Sequence, residues 1–224
     1  MEYFEGKHDS ETTTINVNYQ YSRYIYRTFK RIFDFVASLL GLVILSPIFL
    51  IVAVAIKIED PKGSVFYSQI RLGRKQEPFE MYKFRSMVEN ADSYLKELSS
   101  NNEIEGAMFK MKNDPRVTKV GQFIRKHSID ELPQLMNVLL GDMSLVGPRP
   151  PLPNEVKDYS SYDMQRLTVK PGCTGLWQIS GRNDVGFHEM VELDLSYINR
   201  RGASFDLYVL FKTVLVFIKP NGAY

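Results

Sequence analysis

The sequence predicts an α+β fold that is mostly helical and belongs to a monotopic membrane protein. Three observations predict it: one uncharged apolar run, several helical patterns after that run, and one pair of β-rich segments with a glycine between them. We expect residues 1–20 to be a polar, mobile tail, and residues 21–58 to hold an interfacial stretch and a re-entrant membrane helix. Residues 59–224 then form a cytosolic domain with amphipathic interfacial helices.

The overall composition excludes several classes of protein. The chain has 224 residues, 44% apolar and 24% charged, which excludes a disordered tail or a fibre. Its 28 basic and 26 acidic residues leave a net charge of +2, so we expect no nucleic-acid partner. Cys173 is the sole cysteine, and one thiol makes neither an internal disulfide nor a cysteine-based zinc site.

The apolar run Phe35–Ile56 predicts a membrane helix. It contains 22 residues without a charge and would extend about 33 Å as a straight helix, enough for a bilayer core of roughly 30 Å. A signal peptide is shorter and would not begin 34 residues into the chain. A core helix in a soluble domain of this size is rarely apolar on every side.

Two features of this run favour a re-entrant hairpin with both ends in the cytoplasm. Pro47 removes a backbone hydrogen bond and kinks a helix, and the Ser46 hydroxyl can partly satisfy the freed backbone. A spanning helix remains the alternative, because central prolines also occur in spanning helices. Basic residues prefer the cytoplasmic side, and they flank both ends of the run: Arg23, Arg27, Lys30 and Arg31 before it, and Lys57, Lys62, Arg71, Arg74 and Lys75 after it.

The segments around the membrane helix predict the remaining elements. Tyr21–Phe33 combines four cations with five aromatic residues, which is typical of anchoring at a membrane edge. Val65–Gln69 and Phe79–Phe84 predict a β-hairpin with Gly73 in its loop. Four further segments predict helices, the last of them either in the core or on the membrane surface: Ala91–Leu98, Leu132–Leu140 closed by Gly141, Glu189–Ile198 and Phe205–Ile218.

The candidate chemistry lies in one dense stretch, residues 114–150. Glycine-rich nucleotide loops, zinc-protease motifs, serine-hydrolase elbows and D-x-D metal motifs are absent from the sequence. Within the stretch, Asp130 and Glu131 are adjacent carboxylates before an apolar helical run. Ser128 or Asp130 would cap that helix, and capping is the structural alternative to a functional pair. With Asp130 as the cap, Pro133 falls in the first turn, where its missing N–H costs little.

Cations surround this acidic pair along the chain. Arg125 and Lys126 lie one turn before it, and the start of a helix also favours phosphate oxygens. Arg149 stands between two prolines, which pre-set its backbone for bidentate phosphate binding. Each feature alone is also explained by capping or turn chemistry. Together they predict an acidic metal or nucleophile site among phosphate-binding cations.

These motifs resemble those of the small monotopic polyprenyl-phosphate phosphoglycosyl transferases, the initiating sugar transferases of bacterial capsule, exopolysaccharide and O-antigen synthesis. The resemblance runs from about Phe29 to the C-terminus and includes KRIFD, GSVFYSQIRLGR, YKFRSM, residues 114–150, and KPGCTGLWQISGRN. Cys173 departs from the aliphatic residue common in the family, and the polar tail is additional. The multi-span domain of larger relatives is not in this sequence, so we expect the catalytic unit alone.

The resemblance implies a reaction at the inner (cytoplasmic) membrane of a bacterial cell, with residues 59–224 as the catalytic domain on the cytoplasmic face. A sugar-1-phosphate would move from a UDP-sugar to undecaprenyl phosphate, releasing UMP in the first membrane step of polysaccharide synthesis. Asp130 would attack the phosphorus that bears the sugar and form a covalent phosphosugar intermediate. Mg²⁺ is the implied cofactor, associated with Glu131 and Asp130. The family's membrane helix turns back at its Ser-Pro, which matches Ser46 and Pro47.

Six further residues are predicted to bind substrate. Surface charge is the alternative for Lys83 and Arg85, and we expect Trp177 to pack and His127 to be solvated. The six are the phosphate-binding candidates and two residues of a glycine-rich loop: Arg125, Arg149, Lys83, Arg85, Gln178 and Arg182.

Two other function classes remain open beside this one. A membrane-bound glycosyltransferase would move the sugar without its phosphate and release UDP. A non-catalytic membrane scaffold would keep the fold alone. Membrane lipids are expected partners in every case, and the sequence leaves open the sugar, the polymer and whether the chain forms a homodimer.

Overall fold

The computed structural model describes residues 14–94, 114–180 and 186–218, and this part of the chain is mostly helical with two small sheets. The α+β prediction is therefore confirmed. One long apolar helix near the N-terminus dominates the fold, and the other elements contact it on both sides of its midpoint.

The helices are mostly short, apart from the second and the last two. Within the described residues they are α1 (Val17–Ser22), α2 (Tyr24–Glu59), α3 (Lys119–Lys126), α4 (Gln134–Leu140), α5 (Pro153–Val156), α6 (Leu176–Ser180), α7 (Phe187–Arg200) and α8 (Ala203–Ile218). The helices predicted at 132–140, 189–198 and 205–218 are confirmed as α4, α7 and α8. The one predicted at 91–98 is a 3₁₀ turn over Ala91–Tyr94, and its remainder lies outside the described residues.

The strands form one antiparallel and one parallel pair. β1 (Phe66–Leu72) and β2 (Pro78–Phe84) make the predicted hairpin, in which Phe66 pairs with Phe84. β3 (Ser144–Val146) and β4 (Gly172–Thr174) run parallel and were not predicted. Glycine is required at position 172, since a Cβ there would lie 2.0 Å from the backbone nitrogen of Gly147.

Helix α2 contains the apolar run and remains helical through Pro47. Its 36 residues would extend about 54 Å if straight. No non-helical residue separates the two predicted arms, so the break expected at Ser46 and Pro47 is not confirmed. The Ser46 hydroxyl donates to the carbonyl of Val43 at 2.7 Å, and this is the carbonyl that Pro47 deprives of its helical donor. The predicted repair of the backbone by Ser46 is confirmed.

The N-terminal half of α2 is tied to the domain by charged side chains. Arg31 donates to the carbonyls of Val138 and Leu139, at 2.6 and 2.9 Å, near the C-terminal end of α4. Asp34 is buried and accepts hydrogen bonds from the Ser144 hydroxyl at 2.7 Å and the Leu145 backbone N–H at 3.2 Å. The first half of the helix therefore has a fixed position against α4 and β3.

The C-terminal half of α2 packs on a different part of the same domain. Val52 and Ile56 are buried with Phe84 of β2 and Ile124 of α3. The Glu59 carboxylate accepts from the first two backbone N–H groups of α3, at 2.8 and 3.0 Å, and so satisfies two donors that have no acceptor within the helix. Both ends of α2 thus attach to one globular unit.

The predicted boundary of the mobile tail at residue 20 is too late in the chain. Ile15 is only 5% exposed and lies in the largest core cluster. Gln20 is buried as well, and its side-chain oxygen accepts from Arg201 at 2.9 Å. Residues 14–20 are therefore part of the packed structure, because an apolar residue and a hydrogen-bonding amide anchor them, and residues 1–13 lie outside the described part.

A large apolar surface is left uncovered along α2. Its most hydrophobic 18-residue window has a mean hydropathy of 3.0, with 11% of that window buried. Helix α8 also presents an exposed apolar face at helical spacing, formed by Leu207, Phe211, Val214 and Leu215. Water does not tolerate so large an apolar surface, and the chain is therefore a membrane protein.

Asn137 connects α4 to the hairpin. Its side chain is fully buried, accepts from the Tyr82 backbone N–H at 2.9 Å and donates to the Glu80 carbonyl at 2.6 Å. These two bonds give strand β2 a partner on the edge that β1 does not cover. The contact fixes the distance between β2 and the residues that precede α4.

Asn137→Ala should lower the free energy of unfolding by about 2–4 kcal/mol, because it leaves a backbone donor and an acceptor unpaired. We expect the melting temperature in detergent to fall by about 5–15 °C. Gln122→Ala, at an exposed position of α3, is the matched control and should shift it little. Equal melting temperatures for both variants would mean that Asn137 does not hold the hairpin to α4.

Candidate active site

A cavity of about 680 Å³ lies between α2, the hairpin and the turn before α4. Gly41 and Leu45 of α2 form an apolar part of its wall, together with Leu210 of α8. Asp130 and Glu131 lie on the polar side. The acidic pair that the sequence singled out therefore borders the membrane helix.

The local backbone at the acidic pair differs from both predicted capping arrangements. Asp130 and Glu131 lie in a 3₁₀ turn, Ile129–Glu131, and α4 begins later, at Gln134. Ser128 precedes the turn in the left-handed region, at φ 52°, and makes no side-chain cap hydrogen bond. Pro133 occupies the N-cap position of α4, since it has no N–H to pair. Neither Ser128 nor Asp130 is therefore the N-cap residue of α4.

Asp130 is the buried member of the pair, with 8% of its surface exposed. Burial raises the pKa of its carboxyl to about 6, the positive charge of Lys83 opposes that rise, and Glu131 adds to it. Arg125 also favours the ionised form. At neutral pH the group is therefore an ionised carboxylate with little water around it.

Glu131 is more exposed and already has a cationic partner. The Lys83 ammonium lies 2.7 Å from its carboxylate, with 24% of the Lys83 side chain and 43% of the Glu131 side chain exposed. The hairpin register places Lys83 on β2 opposite Tyr67, two residues beyond Met81 in the core. Lys83 thus lies in the site as the ion-pair partner of Glu131, and its predicted role in binding a substrate phosphate stays a prediction.

Arg71 is a further cation of the cavity, and the site prediction missed it. It is buried on β1, donating to the Pro150 carbonyl at 3.1 Å and to the Gln69 side chain at 2.7 Å. Its Nε is buried without a hydrogen-bond partner in the described part of the chain. Burial, with the charge of Arg149, lowers the pKa of Arg71 to about 10. In the sequence, the position of this arginine within a half-buried strand could have identified Arg71 as a site residue.

Arg149 lines the cavity, but its guanidinium already has a carboxylate partner. Both terminal nitrogens donate to Glu155, at 2.9 and 3.2 Å, and Glu155 is buried. Arg166 donates to the Arg149 carbonyl at 3.3 Å and forms a fully buried ion pair with Asp194. The rigid placement predicted for Arg149 thus rests on these contacts as well as on its flanking prolines.

The other predicted substrate-binding residues separate into three cases. Arg125 lines the cavity and donates from Nε to the Ser86 hydroxyl at 2.8 Å. Arg85 does not line it: its guanidinium pairs with Asp60, 2.5 Å away, at the end of α2. Arg182 lies outside the described residues. Arg85 therefore fastens α2 to β2, and its predicted role at the substrate stays a prediction.

Gln178 lines the cavity as predicted, and Trp177 lies beside it. The Trp177 Nε1 donor and the Gln178 Oε1 acceptor are both buried without a hydrogen-bond partner in the described ranges. Unpaired buried polar atoms are costly, so a donor and an acceptor here suit a polar ligand group. The expectation that Trp177 only packs overlooked this, since sequence does not reveal an unpaired indole N–H.

The acidic pair suits a hard cation that is only partly held by protein. Among residues 14–94, 114–180 and 186–218 there is no cluster of three or more histidine, cysteine or acidic side chains. Asp130 and Glu131 supply carboxylate oxygens, and Mg²⁺ is commonly bound by one or two carboxylates together with substrate phosphates and water. The donor set is therefore compatible with Mg²⁺ bound together with a phosphate substrate.

The fold and the cavity define a membrane protein with an acidic pair among cations. The family model described as bacterial sugar transferase matches residues 25–220. The chain belongs to this family, and the resemblance of its motifs is confirmed.

Several relatives cover most of this chain. The undecaprenyl-phosphate galactose phosphotransferase of Salmonella typhimurium is 48% identical over 202 residues, which are 88% of this chain and 42% of that protein. The galactosyl transferase CpsE of Streptococcus agalactiae is 44% identical, over 94% of this chain and 47% of its own length. The exopolysaccharide production protein ExoY of Sinorhizobium fredii is 43% identical, over 87% of this chain and 88% of its own length. The chain thus spans less than half of the first two relatives and most of the third.

Arg149→Lys should lower turnover by about 100-fold, since lysine cannot keep a planar two-point contact. Glu155→Gln leaves the Arg149 guanidinium in place and frees it for a phosphate. The turnover of Glu155→Gln should therefore fall much less than that of Arg149→Lys. Sugar-transferase turnover of both variants in detergent checks this, with melting temperatures as the control for folding. Equal losses in the two variants would reduce Arg149 to a structural partner of Glu155.

Proposed function

We propose that this protein transfers a sugar-1-phosphate from a UDP-sugar to undecaprenyl phosphate, releasing UMP and forming undecaprenyl-diphosphate-sugar. One observation carries the proposal: a single cavity combines an acidic pair and four cations with a wall from the membrane helix. The cations are Arg71, Lys83, Arg125 and Arg149.

The two walls of the cavity suit the two parts of a lipid phosphate. Gly41 and Leu45 belong to the apolar run of α2, so a polyprenyl chain in the bilayer meets them directly. The cations opposite suit its phosphate. Relatives carry matching names, such as the UDP-glucose:undecaprenyl-phosphate glucose-1-phosphate transferase of Klebsiella pneumoniae, 41% identical over 88% of this chain.

The reaction takes place in two displacements at phosphorus. An oxygen of Asp130 forms a bond to the phosphorus that bears the sugar, and the bond from that phosphorus to UMP breaks. A phosphate oxygen of undecaprenyl phosphate then attacks the same phosphorus and restores the Asp130 carboxylate. Burial suits Asp130 to this role, because a poorly hydrated carboxylate loses little water when it attacks.

The surrounding charges make the attack of one anion on another feasible. Arg71, Arg125 and Arg149 are placed to neutralise the diphosphate as charge moves to the leaving UMP. Asp130 and Glu131 are the residues that would hold Mg²⁺, which when bound supplies further charge neutralisation at the phosphates. The Lys83 ammonium, 2.7 Å from Glu131, orients that carboxylate toward the same region.

The membrane arrangement that best fits this reaction is re-entrant, with the domain and both ends of α2 on the cytoplasmic face. Basic residues flank both ends of the apolar run, and both halves of α2 contact the same domain. The exposed apolar face of α8 lies at the membrane surface in this arrangement. UDP-sugars and the acidic pair are then on the same side of the membrane.

Asp130→Asn is the sharpest test of the covalent mechanism, because it keeps the shape and removes the nucleophilic charge. Without lipid acceptor, the wild-type protein with Mg²⁺ and the correct UDP-sugar should release up to one UMP per active site. It should also gain the mass of one sugar phosphate on Asp130. The variant should show neither the burst nor the adduct.

The wild type and Asp130→Asn are each assayed with a panel of UDP-sugars, and the nucleotide that is released is identified. Release of UDP in place of UMP would indicate a glycosyltransferase. Asparagine fills helix and turn positions about as well as aspartate, so a structural role alone predicts nearly normal turnover in the variant. Substantial activity of Asp130→Asn would therefore refute the covalent intermediate.

The membrane arrangement is tested with single cysteines at Thr28 and Lys62, on either side of the apolar run, in a Cys173→Ser background. A membrane-impermeant thiol reagent should label neither position in intact cells and both in opened cells. Labelling of one position alone in intact cells would mean that α2 spans the bilayer. Turnover of the cysteine variants is the control for correct insertion.

A further inference from the structure

A second cavity, of about 410 Å³, lies beside the N-terminal part of α2. Ser144 and Val146 of β3 line it, whereas Leu145 between them lines the active-site cavity. Successive side chains of a strand point to opposite faces, so the two cavities lie on opposite sides of β3. No lining residue is common to both.

The charges around this second cavity are strongly unbalanced. Asp34 is the one carboxylate that lines it within the described residues, and Asp34 already accepts bonds from Ser144 and Leu145. The lining cations are six: Arg27, Lys30, Arg31, Arg74, Lys170 and Arg201.

Most of these cations are bound to neutral groups of the protein. Arg31 and Lys170 donate to backbone carbonyls at the C-terminal end of α4, and Arg201 donates to Gln20. Lys30 pairs with Asp206 at 3.0 Å. The carbonyl hydrogen bonds orient Arg31 and Lys170, but a neutral carbonyl does not neutralise their positive charge.

Arg74 makes no side-chain hydrogen bond or ion pair within the residues that the structure describes. It lies in the 3₁₀ turn between β1 and β2, and its Nε is buried without a hydrogen-bond partner in the described part of the chain. No carboxylate lies within 4.0 Å of Arg27, Arg31, Arg74 or Lys170 among the residues that the structure describes. Burial and the positive charges of Arg31 and Arg74 lower the pKa of Lys170, and Asp142 and Asp34 oppose that fall, so the three cations affect one another. Six cations around a single lining carboxylate, Asp34, are expensive unless a further anion joins them.

From this juxtaposition we infer that the cavity beside α2 is a phosphate-group site, separate from the active site. Arginine forks match phosphate oxygens, and the Tyr21 and Tyr24 rings that line the cavity suit a ligand with an apolar part. The exposed apolar residues Phe29 and Ile32 lie on the same stretch of α2. The phosphate could belong to an anionic phospholipid headgroup or be free in solution.

The test measures ligand-induced stabilisation of the full chain in detergent, without a UDP-sugar. The probes are inorganic phosphate, short-chain phosphatidylglycerol, and short-chain phosphatidylcholine as the zwitterionic control. Arg74→Gln should weaken phosphate-group binding by about tenfold, because a charge-assisted contact is lost. Arg74→Lys should retain much of it. Lys62→Gln, an exposed charge after the other end of α2, should bind as the wild type does.

The two sources of phosphate give different results. A response of the wild type to phosphatidylglycerol well below the concentration needed for inorganic phosphate assigns the site to a lipid headgroup. Equal responses assign it to free phosphate. Without ligand, the melting temperature of Arg74→Gln should not fall below that of the wild type, because the substitution removes an unpaired charge. A smaller stabilisation of this variant by the phosphate probes would therefore reflect lost binding and not a folding defect.

Three results would overturn the inference. The first is a wild type that neither phosphate probe stabilises beyond phosphatidylcholine. The second is Arg74→Gln that responds like the wild type. The third is an equal loss in Lys62→Gln, which would mean general attraction of basic residues to anionic lipid rather than a site.

Discussion

The fold depends on the attachment of one membrane helix to the same domain at both of its halves. Arg31 and Asp34 fasten the first half to α4 and β3, and Ile56 and Glu59 fasten the second half to β2 and α3. The middle of the helix must then pass across the domain, where its Gly41 forms a wall of the active-site cavity. Contact between the membrane and the chemistry is thus a direct result of how α2 is anchored.

The short helix α4 organises the charges on both sides of the domain. The turn before it carries Asp130 and Glu131, and the carbonyls at its end hold Arg31 and Lys170. Asn137 in its middle fixes β2, and with it Lys83, relative to the acidic pair. A helix of seven residues therefore separates the acidic pair from a cluster of mostly basic side chains. The helix dipole favours this polarity at its C-terminal end, where cations meet unpaired carbonyls.

The elements that the sequence predicted are those with a local cause. Two β-leaning segments with Gly73 between them predicted the β1–β2 hairpin, and Gly141, at φ 99°, ends α4 as its position indicated. The β3–β4 pair was missed because each strand has three residues and is formed by a partner far along the chain. The acidic pair was found from its neighbours, but the partners of Arg85 and Arg149 were not, since Asp60 and Glu155 carry no pattern that marks them as ion-pair partners.

The hydrogen bond from Ser46 to the Val43 carbonyl has a consequence for immersion depth. In hydrocarbon a bare carbonyl costs several kcal/mol, so a proline without this repair would hold its turn of the helix near hydrated headgroups. With the carbonyl paired, the turn around Pro47 can enter the acyl chains as readily as the leucines and isoleucines beside it. The Ser46 hydroxyl therefore removes one energetic obstacle to placing the Pro47 turn in hydrocarbon.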